Sequence, residues 1–92
     1  MLVRWTKPAL DDFTQICDYT QEHFWAAQAR RAAIAIYDGV ESLRTSPRKG
    51  RPGRKANTRE LDIPKLPFIA IYRVREGVIE VTRILHGARK WP

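Results

Sequence analysis

Several things that would narrow this protein's chemistry are scarce or missing in its sequence. One cysteine, Cys17, stands in 92 residues, which excludes an internal disulfide and suits a reducing cytoplasm. No apolar run approaches the ~18 residues a membrane-spanning helix needs, and "MLVRWTKPAL" at the start has no long apolar core, so neither a membrane span nor visible export is expected. There is no glycine-rich phosphate cradle, no metal-ligand spacing and no cofactor motif, so the expected cofactor and metal complement is none. Acidic residues are few as well: 10 Asp and Glu stand against 17 Lys and Arg, a net charge of +7. That field favours nucleic acid, ribosomes or an acidic protein partner and is silent about fold.

What is present is enough for one folded domain spanning residues 1–92. Hydrophobic residues make up 43% and charged residues 29%, too apolar for a disordered chain. A domain this short buries only roughly 60% of its unfolded surface, so a binding partner would add usefully to its stability.

Periodicity divides the chain. Leu2 to Trp5 reads as a short strand, and Pro8 suits a first helical turn, where its missing N–H is not needed. Leu10, Phe13, Ile16, Cys17 and Phe24 form an apolar stripe, predicting a helix from Pro8 to about Phe24 with Cys17 as a small core residue. In "WAAQARRAAIAIYDGVESLRTSP" the residues Ala29, Ala33, Ile36, Val40 and Leu43 share a face, predicting a second helix that ends before Pro47 and pairs with the first as an antiparallel hairpin. A basic loop with two Pro and two Gly follows. Then come "RELDI", "FIAIYRV" and "VIEVTRIL", the last two joined by a tight turn in which Gly77 takes a positive φ. In the last strand Ile79, Val81, Arg83 and Leu85 alternate with Val78, Glu80, Thr82 and Ile84, and the first set is expected to face the helices. The predicted order is βααβββ: an α+β fold with a helical hairpin on a small antiparallel sheet.

"VRWTKPALDDFTQICDYT", "LDIPKLPFIAIYRV" and the closing "RILHGARKWP" together resemble the RelE/ParE superfamily, the toxin halves of type II toxin-antitoxin pairs, over essentially the whole chain. The resemblance implies one of two activities. RelE-like members resemble ribonucleases that cut mRNA on the ribosome, a reaction needing proton transfer at the 2′-OH and the leaving oxygen and stabilisation of a charged phosphorane. Aligned on "IYRV", the position of the RelE strand arginine holds Ile69, and the two lysine positions hold Glu60 and Asp62, whose charge would repel phosphate. Arg89 matches the late arginine, whereas Trp91 stands nearest to the missing tyrosine. ParE-like members share the fold without that set and are associated with poisoning of DNA gyrase through protein contact. The match is closer to these.

Candidate residues follow from both readings. In the ribonuclease alternative His86, Arg83 and Arg89 are the catalytic set, His86 because imidazole titrates near neutrality and Arg because it clamps phosphate with two donors. Equally, His86 could only hydrogen-bond the end of the sheet, and Arg83 could pair with Glu60 or Asp62 or with antitoxin acids. Arg89, Lys90 and Trp91, with Arg54, Lys55 and Arg59, are candidates for gripping the target or the antitoxin, Trp91 because aromatic residues dominate interface hot spots. Trp5 is expected in the core, Trp25 at the interhelical turn, and His23 as a cation at a helix C-terminus. The implied partners are a cognate acidic antitoxin, which would carry the operon's DNA-binding part, and DNA gyrase or the ribosome with its mRNA.

Overall fold

The structure, a computed structural model, describes residues 1–87. Strand β1 (Leu2–Trp5) leads into helix α1 (Lys7–His23) and helix α2 (Ala26–Glu41), and a 3-10 turn covers Ser42–Arg44. Strands β2 (Arg51–Pro52), β3 (Arg59–Asp62), β4 (Phe68–Arg75) and β5 (Val78–His86) complete the chain. The sheet has five strands in the order β1-β5-β4-β3-β2. It is antiparallel except at β1, which runs parallel to β5 with Trp5 opposite Val81. A parallel strand needs a crossover, and the helical hairpin is that crossover between β1 and the rest of the sheet. The expected α+β order is therefore present, with a mixed sheet and an extra two-residue strand inside the basic loop.

Each boundary has a local cause. Thr6 closes β1 and opens α1: its N–H donates to the Val81 carbonyl at 3.0 Å, and its hydroxyl accepts from Ala9 N–H at 3.2 Å while donating to the Thr82 carbonyl at 3.0 Å. One threonine thus caps the helix and continues the sheet edge. Only Phe24 and Trp25 separate the two helices, which forces them antiparallel. In the β4–β5 hairpin the loop is Glu76–Gly77, both with positive φ (50° and 79°), as a two-residue turn matching the sheet twist requires.

The helix-facing core gathers Ala9, Ile36, Val40, Leu43, Leu61, Ile63, Ala70, Tyr72, Ile79, Val81 and Ile84, with Trp5 and Phe13 packed against it edge to face at 5.4 Å. The expected alternation of β5 holds only for its first half. Tyr72 pairs with Val81 but Ile71 pairs with Arg83, so Thr82 is an inserted bulge residue. The bulge reverses the phase: Ile84 joins the helix-side core, and Leu85 joins Ile69 and Ile71 in a second cluster. On α1 the buried face carries Ala9, Phe13 and Ile16, whereas Leu10 is 50% exposed and Phe24 60% exposed. Trp25 is 69% exposed at the start of α2 rather than packed into the turn.

The basic loop is tied down by Tyr72. Its buried phenol donates to the Pro47 carbonyl at 2.7 Å and accepts from Gly50 N–H at 2.9 Å. Burial pushes this phenol above the usual tyrosine range, so it stays protonated and able to donate. A Cβ on Gly50 would lie 2.7 Å from that oxygen, so no larger residue fits. Tyr72→Phe is expected to lower stability by about 1–3 kcal/mol, because it strips a buried N–H of its acceptor. Urea unfolding measures the loss, and amide exchange at Gly50 should accelerate; an unchanged midpoint would show that the loop is held by other means.

Candidate functional site

Strand β1 ends opposite Val81, so β5 continues beyond it as an edge strand. An open edge is a template for further pairing and is normally covered. Here α1 covers it through Asp12, whose Oδ2 accepts the Ile84 N–H at 3.0 Å. The same carboxylate is held by Arg83, with Nε to Oδ2 at 2.7 Å and Nη2 to Oδ1 at 3.0 Å. This two-donor geometry is the strong form of an arginine–carboxylate pair. The hydrogen bond to Asp12 raises the Arg83 pKa further above its already high value. Arg83 pairs with neither Glu60 nor Asp62. Those two are taken by Arg51, with Nη2 to Glu60 Oε1 at 3.1 Å and Nη1 to Asp62 Oδ2 at 2.6 Å.

Asp12 was legible as an anomaly that the sequence reading passed over. It lies three residues after Ala9 and four before Ile16, so a carboxylate interrupts the apolar stripe of α1 at helical spacing. Neighbouring Asp11 carries no such meaning; it forms an exposed pair with Lys7 at 3.1 Å.

Next to this pair lies a groove of about 1060 Å³ between the helices, the β3–β4 loop and the end of β5. Its apolar lining includes Ile16, Ala32 and Ala35 from the helices, Leu66 and Phe68 from the loop and β4, and Ile84. Arg31 and Lys65 stand on its walls, and Tyr19 and Phe24 extend it as exposed aromatics. His86 also lines it, exposed at the end of β5 with its ring edge-on to Phe68 at 5.7 Å. Gln28 contributes a buried side-chain oxygen that has no hydrogen-bond partner among the described residues. Such an acceptor costs about 1–3 kcal/mol unless something supplies a donor. Nothing in the composition pointed to this groove, since it is made by three segments distant in sequence.

The basic loop is more ordered than its composition suggests. Arg59 donates to the carbonyls of Gly50 at 2.8 Å and Arg48 at 3.4 Å, so its guanidinium is turned back into the loop. Arg54 gives its backbone N–H to Glu60 Oε2 at 3.0 Å and keeps Nε 3.9 Å from it. Lys55 is exposed, and its carbonyl accepts from the Thr58 hydroxyl at 2.7 Å. Arg89, Lys90 and Trp91 lie outside the described residues. Of the three catalytic candidates, Arg83 and His86 share one strand, but Arg83 faces a carboxylate. Cys17 is half-buried, and burial raises its thiol pKa, which disfavours the nucleophilic thiolate. His23 closes α1 with its ring tilted over Tyr19 at 4.2 Å.

A helical hairpin that crosses between β1 and a bulged antiparallel meander, with a groove beside it, defines the two-helix, five-strand toxin fold of type II toxin-antitoxin systems. The structure reported as the chromosomal ParDE TA system from P. aeruginosa superposes with a TM-score of 0.87 at 28% identity, covering 94% of this chain and 95% of that one. A family model described as the ParE toxin of type II toxin-antitoxin system, parDE, matches residues 3–91. Toxin RelE2 of Caulobacter vibrioides is 37% identical over 87 residues, 95% of this chain and 96% of that protein. Y4kP of Sinorhizobium fredii is 37% identical over 90 residues, 98% of this chain and 92% of its own length. The chain belongs to the ParE toxin family, within the RelE/ParE superfamily.

The geometry orders two substitutions. Asp12→Ala should cost about 2–3 kcal/mol, since it leaves both the Ile84 N–H and a partly buried guanidinium unpaired. Arg83→Ala should cost less, about 1–2 kcal/mol: it leaves the Asp12 carboxylate without its counter-charge, but Asp12 still accepts the Ile84 N–H at the strand edge. Chemical denaturation of both variants checks the order, and the reverse ranking would mean that the guanidinium, not the carboxylate, closes the edge.

Proposed function

We propose that this toxin arrests growth by gripping DNA gyrase through protein contact, breaking no bond itself, and that an acidic antitoxin segment seated in the groove silences it. The observation that carries the first half is the state of Arg83. A strand cation available to a scissile phosphate would have to leave the Asp12 carboxylate, stranding a mostly buried charge without its partner. The acids Glu60 and Asp62, at positions where RNA-cutting relatives carry cations, point the same way. His86 then serves as a wall of the groove, edge-on to Phe68, rather than as a general acid or base.

The second half rests on the groove itself. Its floor is apolar, its walls carry Arg31 and Lys65, its one acid is already neutralised by Arg83, and the Gln28 oxygen awaits a donor. An amphipathic helix with an apolar stripe and flanking carboxylates matches the floor and the cationic walls, and one amide or hydroxyl donor on it would meet the Gln28 oxygen. The chain's charge of +7 would also steer such a partner inward.

Controlled expression in bacteria, with labelled thymidine and methionine followed over the first minutes, tests the target. DNA synthesis is expected to stop before protein synthesis; translation stopping first would favour a RelE-like, ribosome-dependent mRNA endonuclease. His86→Ala is expected to leave growth arrest nearly intact, whereas an enzyme would lose orders of magnitude of cleavage. Lys65→Glu should weaken antitoxin binding by about three- to tenfold in a titration at low salt. An unchanged affinity would remove the antitoxin from this groove.

A further inference from the structure

The outward face of α2 has a charge pattern that the monomer uses only at its end, where Glu41 pairs with Arg44 at 2.8 Å. Opposite its buried residues Ala29, Ala32, Ile36 and Val40, the helix presents Ala27, Arg30, Ile34, Tyr37, Asp38 and Glu41. Ile34 and Tyr37 are each 53% exposed, large apolar side chains at the middle of a solvent-facing helix. Arg30 lies four residues before Ile34 and Asp38 four after it, and neither forms an ion pair or side-chain hydrogen bond among the described residues. Along the helix they stand about 12 Å apart, too far to neutralise each other within one chain.

Their order is also unfavourable where it stands. A helix favours anions near its N-terminus and cations near its C-terminus, yet α2 has no acid in its first turn and no base in its last. Arg30 and Arg31 occupy the early part and Asp38 and Glu41 the last turn. A second copy laid antiparallel across Ile34 corrects each of these features together. Ile34 meets Ile34, Arg30 meets Asp38 in both directions, and the small Ala27 faces Glu41. Each helix also brings its cations to the partner's negative end. The pattern is self-complementary about one residue, which is what a two-fold interface requires.

We infer that α2 is a homodimerisation surface, two copies of this chain pairing antiparallel about Ile34. One helix face on another buries less than a standard interface, so the dimer is weak, with a Kd on the order of 10–100 µM. Sedimentation equilibrium of the purified, antitoxin-free chain across that range should show a monomer–dimer equilibrium. Arg30→Asp and Asp38→Arg should each raise Kd by at least about tenfold through like-charge contacts, and the double variant Arg30→Asp/Asp38→Arg should restore the wild-type value. Neither reversal opposes the α2 dipole, so thermal midpoints should not fall, which separates lost association from lost folding. A chain that stays monomeric throughout, single reversals that leave the dimer unchanged, or a double variant that fails to restore it would each overturn the inference.

Discussion

The Asp12 carboxylate is the constraint on which the rest of the arrangement depends. It ties the first helix to the last strand where the parallel strand β1 has run out, so one side chain supplies what a further strand would have supplied. Arg83 neutralises it from the same strand, which lets a carboxylate sit on the core side of a helix without an uncompensated charge. Because the pair fixes the distance between α1 and the end of β5, it also sets one wall of the groove. The bulge at Thr82 lies beside this pair and turns Ile84, whose N–H Asp12 accepts, into the core.

A second set of contacts shapes the chain's electrostatic surface. Acids on the sheet are bound internally, Glu80 by Arg4 and Arg73 and Glu60 and Asp62 by Arg51, and Asp12 of α1 is bound by Arg83. The hydrogen bond from Arg73 holds the Glu80 carboxyl below its usual range, so that acid stays charged and spent. What remains to face outward is mostly positive. The basic loop is held by Tyr72, Gly50 and Arg59, so its cations are displayed on a framework rather than on a free segment.

A strand arginine held by a helix carboxylate, a groove with a cationic wall and a helix with self-matching charges suit a protein that works by touching others. Such a protein gains from an imperfect monomer. The Gln28 oxygen, without a partner among the described residues, and the adverse order of charges on α2 are small costs that association would relieve, and a domain of this size has little stability to spare.

Much of this was legible in the chain before folding. Helical periodicity placed α1 within a residue or two and found α2, although α2 ends at Glu41 and a 3-10 turn carries Leu43, well short of Pro47; the Gly77 turn follows from backbone freedom alone. The α+β class and the toxin family were likewise set by local pattern and motif order. Leu10 and Leu85 were misplaced because periodicity counts residues and cannot see a bulge or which flank of a stripe meets the sheet. Arg83 and the groove were decided only by the tertiary structure. The partner of an arginine and the walls of a groove come from segments tens of residues apart, and only the packed sheet and helices determine which of those segments meet.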